Sequence, residues 1–232
     1  MPRLLPVADT ALLVDLSDAG AAAGQHVAAL DEALAARTVE GLLDRIPGLT
    51  TLLVEYDPLR TDAAAVSQVL APLVDALALA ASGPARRAGR SHRLPVCFDA
   101  DLAPDLDSVA ACAGTDAGGV CRLLCGAPLR VALMGHLPGF PYLSGVPAAL
   151  HLPRRADPRT AVPAGAVALA GGLAGIYPVS APGGWHLVGR TAARLYDPER
   201  ADPFLLRPGD AVHLEAVDRA AFERLAAAGE QR

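Results

Sequence analysis

From Leu129 onward the sequence is written in apolar runs of four to six residues, each closed by proline or glycine: Leu129–Met134, Val167–Ala170, Gly175–Val179, Trp185–Val188 and Ala211–Ala216. Runs this short cannot present a helical stripe, and turns this frequent leave no room for the crossover helices of a parallel sheet. The pattern specifies a β-barrel or sandwich. One last segment, Asp218–Ala228, returns to helical spacing and places Phe222 and Leu225 on one face.

The first third of the chain reads differently. Leu4–Val7 and Thr10–Leu16 are expected strands, and Ala21–Arg37 carries Val27, Leu30 and Leu34 at helical steps. Val39–Ile46 and Leu49–Tyr56 are two further strands around Pro47-Gly48, a pair suited to a tight turn. A second helix opens at Thr61, with Val66, Val69, Leu70, Leu73, Val74 and Leu77 on one stripe, and ends near Ser82-Gly83-Pro84. These elements make a small α/β sandwich over residues 1–83. Residues 84–93 carry Arg86, Arg87, Arg90 and Arg93 and no apolar side chain larger than Ala or Pro, the composition of a linker. The second domain, 94–232, begins with a strand at Leu94–Phe98 and two short helices, Asp105–Ala113 and Ala117–Leu124, before the β-rich region. The fold class is α+β.

Composition narrows the chemistry. All twenty basic residues are arginine, and the chain has neither Lys nor Asn. A Walker A phosphate loop and Schiff-base catalysis are therefore excluded. With 52% hydrophobic residues, 19% charged and a net charge of −5, the chain is globular and lacks the basic face of a nucleic-acid binder. Cys97, Cys112, Cys121 and Cys125 form no zinc-ligand spacing and are expected as free buried thiols, and the histidines at 26, 92, 151, 186 and 213 show no metal spacing either, so no metal site is expected. The first residues lack the pattern of a signal peptide, and residues 63–81 are too interrupted by Ser67, Gln68, Pro72 and Asp75 to span a bilayer. A cytoplasmic location, with no membrane or nucleic-acid partner, is the expectation.

The densest region runs from Gly135 to Thr191. It contains His136-Leu137-Pro138-Gly139-Phe140-Pro141-Tyr142-Leu143, then Pro153-Arg154-Arg155 with Pro158-Arg159, Val162-Pro163-Ala164-Gly165, Gly175-Ile176-Tyr177-Pro178, and Pro182-Gly183-Gly184-Trp185 with Gly189-Arg190-Thr191. Glycines at 135, 139, 183 and 184 allow close backbone approach, and prolines at 138, 141, 163 and 182 hold the turns. Arg155 and Arg159 are suited to gripping a carboxylate or phosphate, or to tying a loop to backbone carbonyls or an acidic partner subunit. Tyr142, Tyr177 and Trp185 are suited to ligand contact or to core packing with a satisfied polar tip. His136 is the one candidate acid/base group, with a structural role as the alternative.

In this order the five blocks resemble the B subunit of bacterial 5-oxoprolinase, the family also called allophanate hydrolase subunit 1 or sporulation-kinase inhibitor. The likeness extends from Leu5-Pro6-Val7-Ala8-Asp9-Thr10-Ala11-Leu12 to Leu206-Arg207-Pro208-Gly209-Asp210. The resemblance implies a small N-terminal α/β domain followed by a cyclophilin-like β-barrel, similar to the first half of a carboxyltransferase domain. It implies a complex with a homologous C-type subunit and an A-type subunit that opens 5-oxoproline to glutamate with ATP and magnesium, neither bound by a recognisable motif of this chain. Its substrate-binding residues would be Phe140, Tyr142, Arg155, Arg159, Pro163, Gly165, Tyr177, Gly184 and Trp185. The family's naming also admits a non-catalytic protein that docks to and inhibits a sensor histidine kinase. This chain departs from the family pattern where Leu124, Leu129, Leu173 and Ala174 replace His, Tyr, Gln and Thr, where Ala166 replaces Ser, and at His136-Leu137.

Overall fold

Alternation of buried and open positions in neighbouring runs sets the first sheet of the computed structural model, which describes residues 2–79 and 89–230. Its strands are β1 (Arg3–Val7), β2 (Ala11–Asp15), β3 (Leu42–Pro47) and β4 (Thr51–Tyr56), antiparallel in the order β1-β2-β4-β3. Leu12 and Val14 of β2 and Leu52, Val54 and Tyr56 of β4 point to one face and are buried. The helices α1 (Ala23–Ala35) and α2 (Ala63–Leu79) cover that face with Val27, Leu30 and Leu34, and with Val66, Leu70, Leu73 and Val74. The expected Pro47-Gly48 turn forms, with the Gly48 amide donating to the Thr51 carbonyl at 2.7 Å. Helix α1 starts later than its apolar spacing suggested, because Ser17–Ala22 is a 3-10 segment kinked at Gly20, whose φ is 56°. On the other face Leu5, Leu13, Leu53 and Ile46 line up in register across all four strands, with Leu5 and Ile46 exposed.

The chain divides into two units, Met1–Arg87 and Ala88–Arg232. Of the expected linker 84–93, residues 84–88 lie outside the described residues, as does the helix end at Ser82-Gly83-Pro84. Ser91, His92 and Arg93 are not linker but the start of β5 (Ser91–Cys97). Hydrophobicity did not mark them, since they join the sheet through parallel pairing with the C-terminal strand, Ser91 opposite Ala211 and Arg93 opposite His213. The pairing is locked by Asp210, which accepts from the Arg90 and Arg207 amides at 2.9 and 3.0 Å and from His92 Nε2 at 2.9 Å. With three donors on it, this buried carboxylate is fully satisfied.

Two short helices follow, α3 (Leu106–Cys112) and α4 (Ala117–Cys125), the second capped by Asp116, which accepts from the Gly119 amide at 2.5 Å. The β-rich region then supplies β6 (Leu129–Met134), β7 (Pro141–Ser144), β8 (Arg159–Val162), β9 (Ala166–Ala170), β10 (Leu173–Ile176), β11 (Ala181–Gly183), β12 (His186–Thr191) and β13 (Ala211–Ala216), and α5 (Arg219–Glu230) ends the unit. Seven strands close a barrel in the order β10-β7-β6-β13-β5-β12-β9, and β8 pairs with β11 in a separate ribbon. The short turn-rich runs thus close on themselves, which removes sheet edges. Strand β10 begins at Leu173 rather than Gly175, because Gly171 and Gly172 both have positive φ and turn the chain in two residues. The strands β7, β8 and β11 had no signal in the sequence: each has only three or four residues, and β7 and β11 contain proline.

The barrel core gathers Leu94, Val96, Val131, Leu143, Val167, Leu169 and Val188, with Val109, Val120 and Leu124 from the helices. Of the four thiols, only Cys97 is fully buried and Cys112 is exposed, a correction to the expected burial of all four. Burial pushes the Cys97, Cys121 and Cys125 thiols up, so they stay protonated and unreactive near neutral pH. Among the described residues no helix is long and apolar enough to cross a membrane, and no group of three or more His, Cys, Asp or Glu could hold a metal ion.

Candidate functional site

Four of the sequence-selected aromatics meet on one flank of the barrel. Phe140 is the centre: its ring lies 5.0 Å from Tyr142, 5.1 Å from Tyr177 and 6.0 Å from Trp185, and Tyr142 and Trp185 are 5.8 Å apart. Phe140 and Tyr142 are tilted to each other, and the other three contacts are edge-on, an arrangement that suits the ring quadrupoles. Together with Val162, Ala166, Ala168, Ala170 and Leu187 they form a second apolar cluster beside the barrel core. Phe140, Tyr177 and Trp185 are buried and Tyr142 is half-buried. Gly175 makes the cluster possible, since a Cβ there would lie 2.7 Å from Phe140 Cζ and 3.1 Å from Trp185 Cζ3. Burial raises the Tyr177 pKa, with Tyr142 adding to it, so the hydroxyl remains a neutral donor.

The loop carrying Pro163 and Gly165 is fixed by backbone. Gly165 donates to the Tyr177 carbonyl at 2.7 Å and accepts from the Thr191 amide at 2.9 Å. Its φ is +79°, and a Cβ would come within 2.1 Å of the Thr191 carbonyl oxygen, so only glycine fits. Pro163 is exposed at the tip, and the Gly184 carbonyl accepts from the Arg155 amide at 2.8 Å.

Both selected arginines converge on a residue that sequence reasoning used only as a helix start. Asp105 Oδ1 accepts from Arg155 Nη1 at 2.9 Å and from Arg159 Nη2 at 2.8 Å, while Oδ2 accepts from the Leu187 amide at 2.7 Å. Asp105 occupies the N-cap position of α3, yet its side chain makes no cap bond and turns to the arginines. Nothing in the sequence distinguishes such an aspartate from a capping one. Burial works to raise the Asp105 pKa, but the hydrogen bonds from Arg159 and Leu187 and the charges of Arg159 and Arg155 outweigh it, and the carboxyl sits below its ordinary value. Of the two roles open to these arginines, tying a segment to an acid is thus realised within the chain itself.

His136 lies at an exposed turn at the edge of the aromatic cluster, its ring edge-on to Phe140 at 5.6 Å. Its φ is 66°, and the Leu137 amide donates to the Gly135 carbonyl at 2.7 Å, a three-residue turn in its strained form. Strain of this kind persists where the surroundings hold it. Replacing His136 by Gly should therefore give a protein more stable than the His136→Ala variant by about 1 kcal/mol in denaturant melts, and equal stabilities would show that the turn is relaxed.

The departures from the family pattern divide by place. Leu124, Leu129 and Ala174 are buried in the barrel core, while Ala166 lies within the aromatic cluster and Leu173 packs against it. Their apolar character is what the interior requires there.

A two-helix sheet unit followed by a unit built on a closed seven-strand barrel is the architecture on which the comparisons bear. Residues 2–206 match the family model for the carboxyltransferase domain, subdomain C and D, and the chain belongs to that family. It is 46% identical over 123 residues to the 5-oxoprolinase B subunit of Escherichia coli O157:H7 and 39% identical over 123 residues to the 5-oxoprolinase B subunit of Bacillus subtilis. These matches span 53% of this chain and 56% and 51% of those relatives, so the chain matches them over about half their length. Among solved structures, that of TTHA0988 superposes with a TM-score of 0.75 at 37% identity over 94% of this chain and 40% of that one. PH0987 from Pyrococcus horikoshii is 31% identical, with a TM-score of 0.56 over 95% of this chain and 100% of that one. The Kluyveromyces lactis urea carboxylase shares the fold, with a TM-score of 0.75 at 18% identity over 99% of this chain and 23% of that one.

Proposed function

We propose that the chain is the B-type subunit of an ATP-dependent complex that adds water across the ring amide of 5-oxoproline to give glutamate. The observation that carries this reading is the identity of 39–46% to three relatives named as the B subunit of 5-oxoprolinase. On it, the chain is a cytoplasmic, non-autonomous subunit that needs a homologous C-type and an A-type partner. Small-molecule sites enclose most of their ligand, and here the selected residues give one wall: Tyr142 and Arg159 are half-buried and Pro163 is exposed, while Phe140, Tyr177 and Trp185 are buried, with Phe140 and Trp185 against Tyr142. Gly165 and Gly184 set the loops, Arg155 ties its segment to the barrel, and His136 stands at the edge as the acid/base candidate. The partner supplies the opposite wall. The exposed apolar row on the first unit's sheet is a second surface suited to another chain.

ATP with its magnesium does not fit the arginine clasp. The arginine clasp has its charge half neutralised by Asp105 and leaves one buried guanidinium nitrogen, Arg159 Nη1, without a partner, which matches one carboxylate and not a triphosphate. In this reading the nucleotide is handled by another subunit. The apolar replacements lend no support to the kinase-inhibitor alternative, since Leu124, Leu129 and Ala174 are core positions.

The test is co-expression with the neighbouring C-type and A-type subunits and an assay of ATP-dependent glutamate formation. Turnover by the three-subunit mixture and none by the chain alone is the expected result. No turnover where a standard complex works, with a sensor kinase recovered in pull-downs, would overturn it.

A further inference from the structure

Two buried nitrogens beside the clasp have no hydrogen-bond partner, Arg159 Nη1 and His186 Nδ1. They are of opposite kind. Arg159 Nη1 is a donor only. His186 Nε2 lies 3.0 Å from the Pro153 carbonyl, which can only accept, so Nε2 carries the proton and Nδ1 of the neutral ring is a bare acceptor. Arg159 is tied to Asp105 through its own Nη2, and the backbone amide of Leu187, the residue after His186, donates to Oδ2 of the same acid. Arg155 and Arg159 share one carboxylate, and no other carboxylate pairs with either among the described residues. The cluster therefore keeps one unneutralised positive charge, with Asp105 already saturated by three donors. A buried orphan donor and a buried orphan acceptor each cost stability that a complementary ligand recovers.

We infer that Arg159 Nη1 and His186 Nδ1 form a recognition pair for a small acid bearing an N–H next to its carboxylate, the carboxylate accepting from Arg159 and the N–H donating to His186. This deepens the proposed function, on which it rests for the substrate class: a cyclic amide whose ring nitrogen adjoins the carboxylate-bearing carbon meets both demands. Neither a simple carboxylate nor a neutral amide does. A carboxylate without an N–H leaves His186 Nδ1 unpaired, and a plain lactam leaves the guanidinium unpaired. The two nitrogens are shielded from solvent in the free chain, so binding of the acid requires residues 154–158 to move aside while the His186–Pro153 contact that fixes the tautomer is kept. All of these residues except Arg155 are exposed, and the segment is held at the His186–Pro153 contact, the Arg155–Gly184 backbone bond and the Arg155–Asp105 ion pair.

The full chain is titrated calorimetrically with 5-oxoproline, with 2-pyrrolidinone, which lacks the acid, and with cyclopentanecarboxylate, which lacks the N–H. The nitrogen resonances of the His186 ring are followed in the same titrations and assigned by their loss in His186→Gln. The expected result is at least roughly tenfold tighter binding of 5-oxoproline than of either analogue, with an upfield move of the His186 Nδ1 resonance only for ligands carrying the N–H. Arg159→Gln should abolish the preference for 5-oxoproline over 2-pyrrolidinone, and its melting curve reports whether the fold is kept. Absence of binding at millimolar concentration, equal affinities for the three compounds, or an unmoved His186 Nδ1 at saturation would each overturn the inference. The two readings fail separately. A working complex whose KM for 5-oxoproline is unchanged in Arg159→Gln and His186→Gln defeats the recognition pair and leaves the enzyme reading intact, whereas a discriminating chain in a complex without turnover does the reverse.

Discussion

Replacing Asp105 by Asn should destabilise the barrel unit by about 3 kcal/mol or more, the cost of removing one partner from a buried ion pair. The variant leaves two guanidinium groups facing a neutral amide, and it sets an amide N–H or a weaker carbonyl against the Leu187 backbone donor that Asp105 now satisfies at 2.7 Å. Chemical denaturation of the full chain measures the loss, read on the transition that carries the fluorescence of its single tryptophan, Trp185. The pH dependence has a defined sign. The native pKa of Asp105 lies below its ordinary value, so its contribution is fully present above the unfolded carboxyl pKa of about 4 and disappears as pH falls through the lower native value. The Asn variant should lack this part of the acid limb. A stability loss below about 1 kcal/mol would place the clasp with solvent-screened surface pairs.

The second large effect is expected at Trp185. Truncation to Ala removes a buried indole that touches Phe140 and Tyr142 and packs against Gly175, with 6% of the residue exposed. The cavity should cost about 3–5 kcal/mol, measured by circular dichroism in denaturant because the variant has no tryptophan. Trp185→Phe, which keeps a ring in the cluster, should lose less than half of that. If instead the Ala variant keeps wild-type stability and loses only ligand or partner binding, Trp185 is a contact residue and the aromatic cluster is not a structural platform.

These two residues show how differently the sequence disclosed the site. Trp185 stood out because a lone tryptophan among glycines and prolines is rare in any chain, and the same is true of the Pro-Arg segments. Asp105 carried no such mark: an aspartate after proline and before an apolar helix is the usual start signal, and its backbone does occupy the cap. Its side chain is committed 50 residues away to Arg155, 54 to Arg159 and 82 to Leu187. Separations of that size leave no periodicity to detect. His186 was read only as a residue without metal spacing, and its role follows from which ring nitrogen the Pro153 carbonyl occupies.

Local physics governs what could be read from the residues alone. Side-chain periodicity separated the two-helix sheet unit from the turn-rich barrel, Pro47-Gly48 placed a turn, and the order of the Gly/Pro motifs marked the flank on which the aromatics meet. The remainder was settled only in the folded chain. Ser91–Arg93 are polar and became strand because β13 lies parallel beside them; β8 and β11 are too short to signal themselves and exist because they pair with each other. The clasp on Asp105 exists because closing the barrel brings β12, the β8 ribbon and the start of α3 together. Hydrophobic patterning records which face of an element is buried, but not which distant charge a buried carboxylate will meet, since that is fixed only once the strands have found their partners.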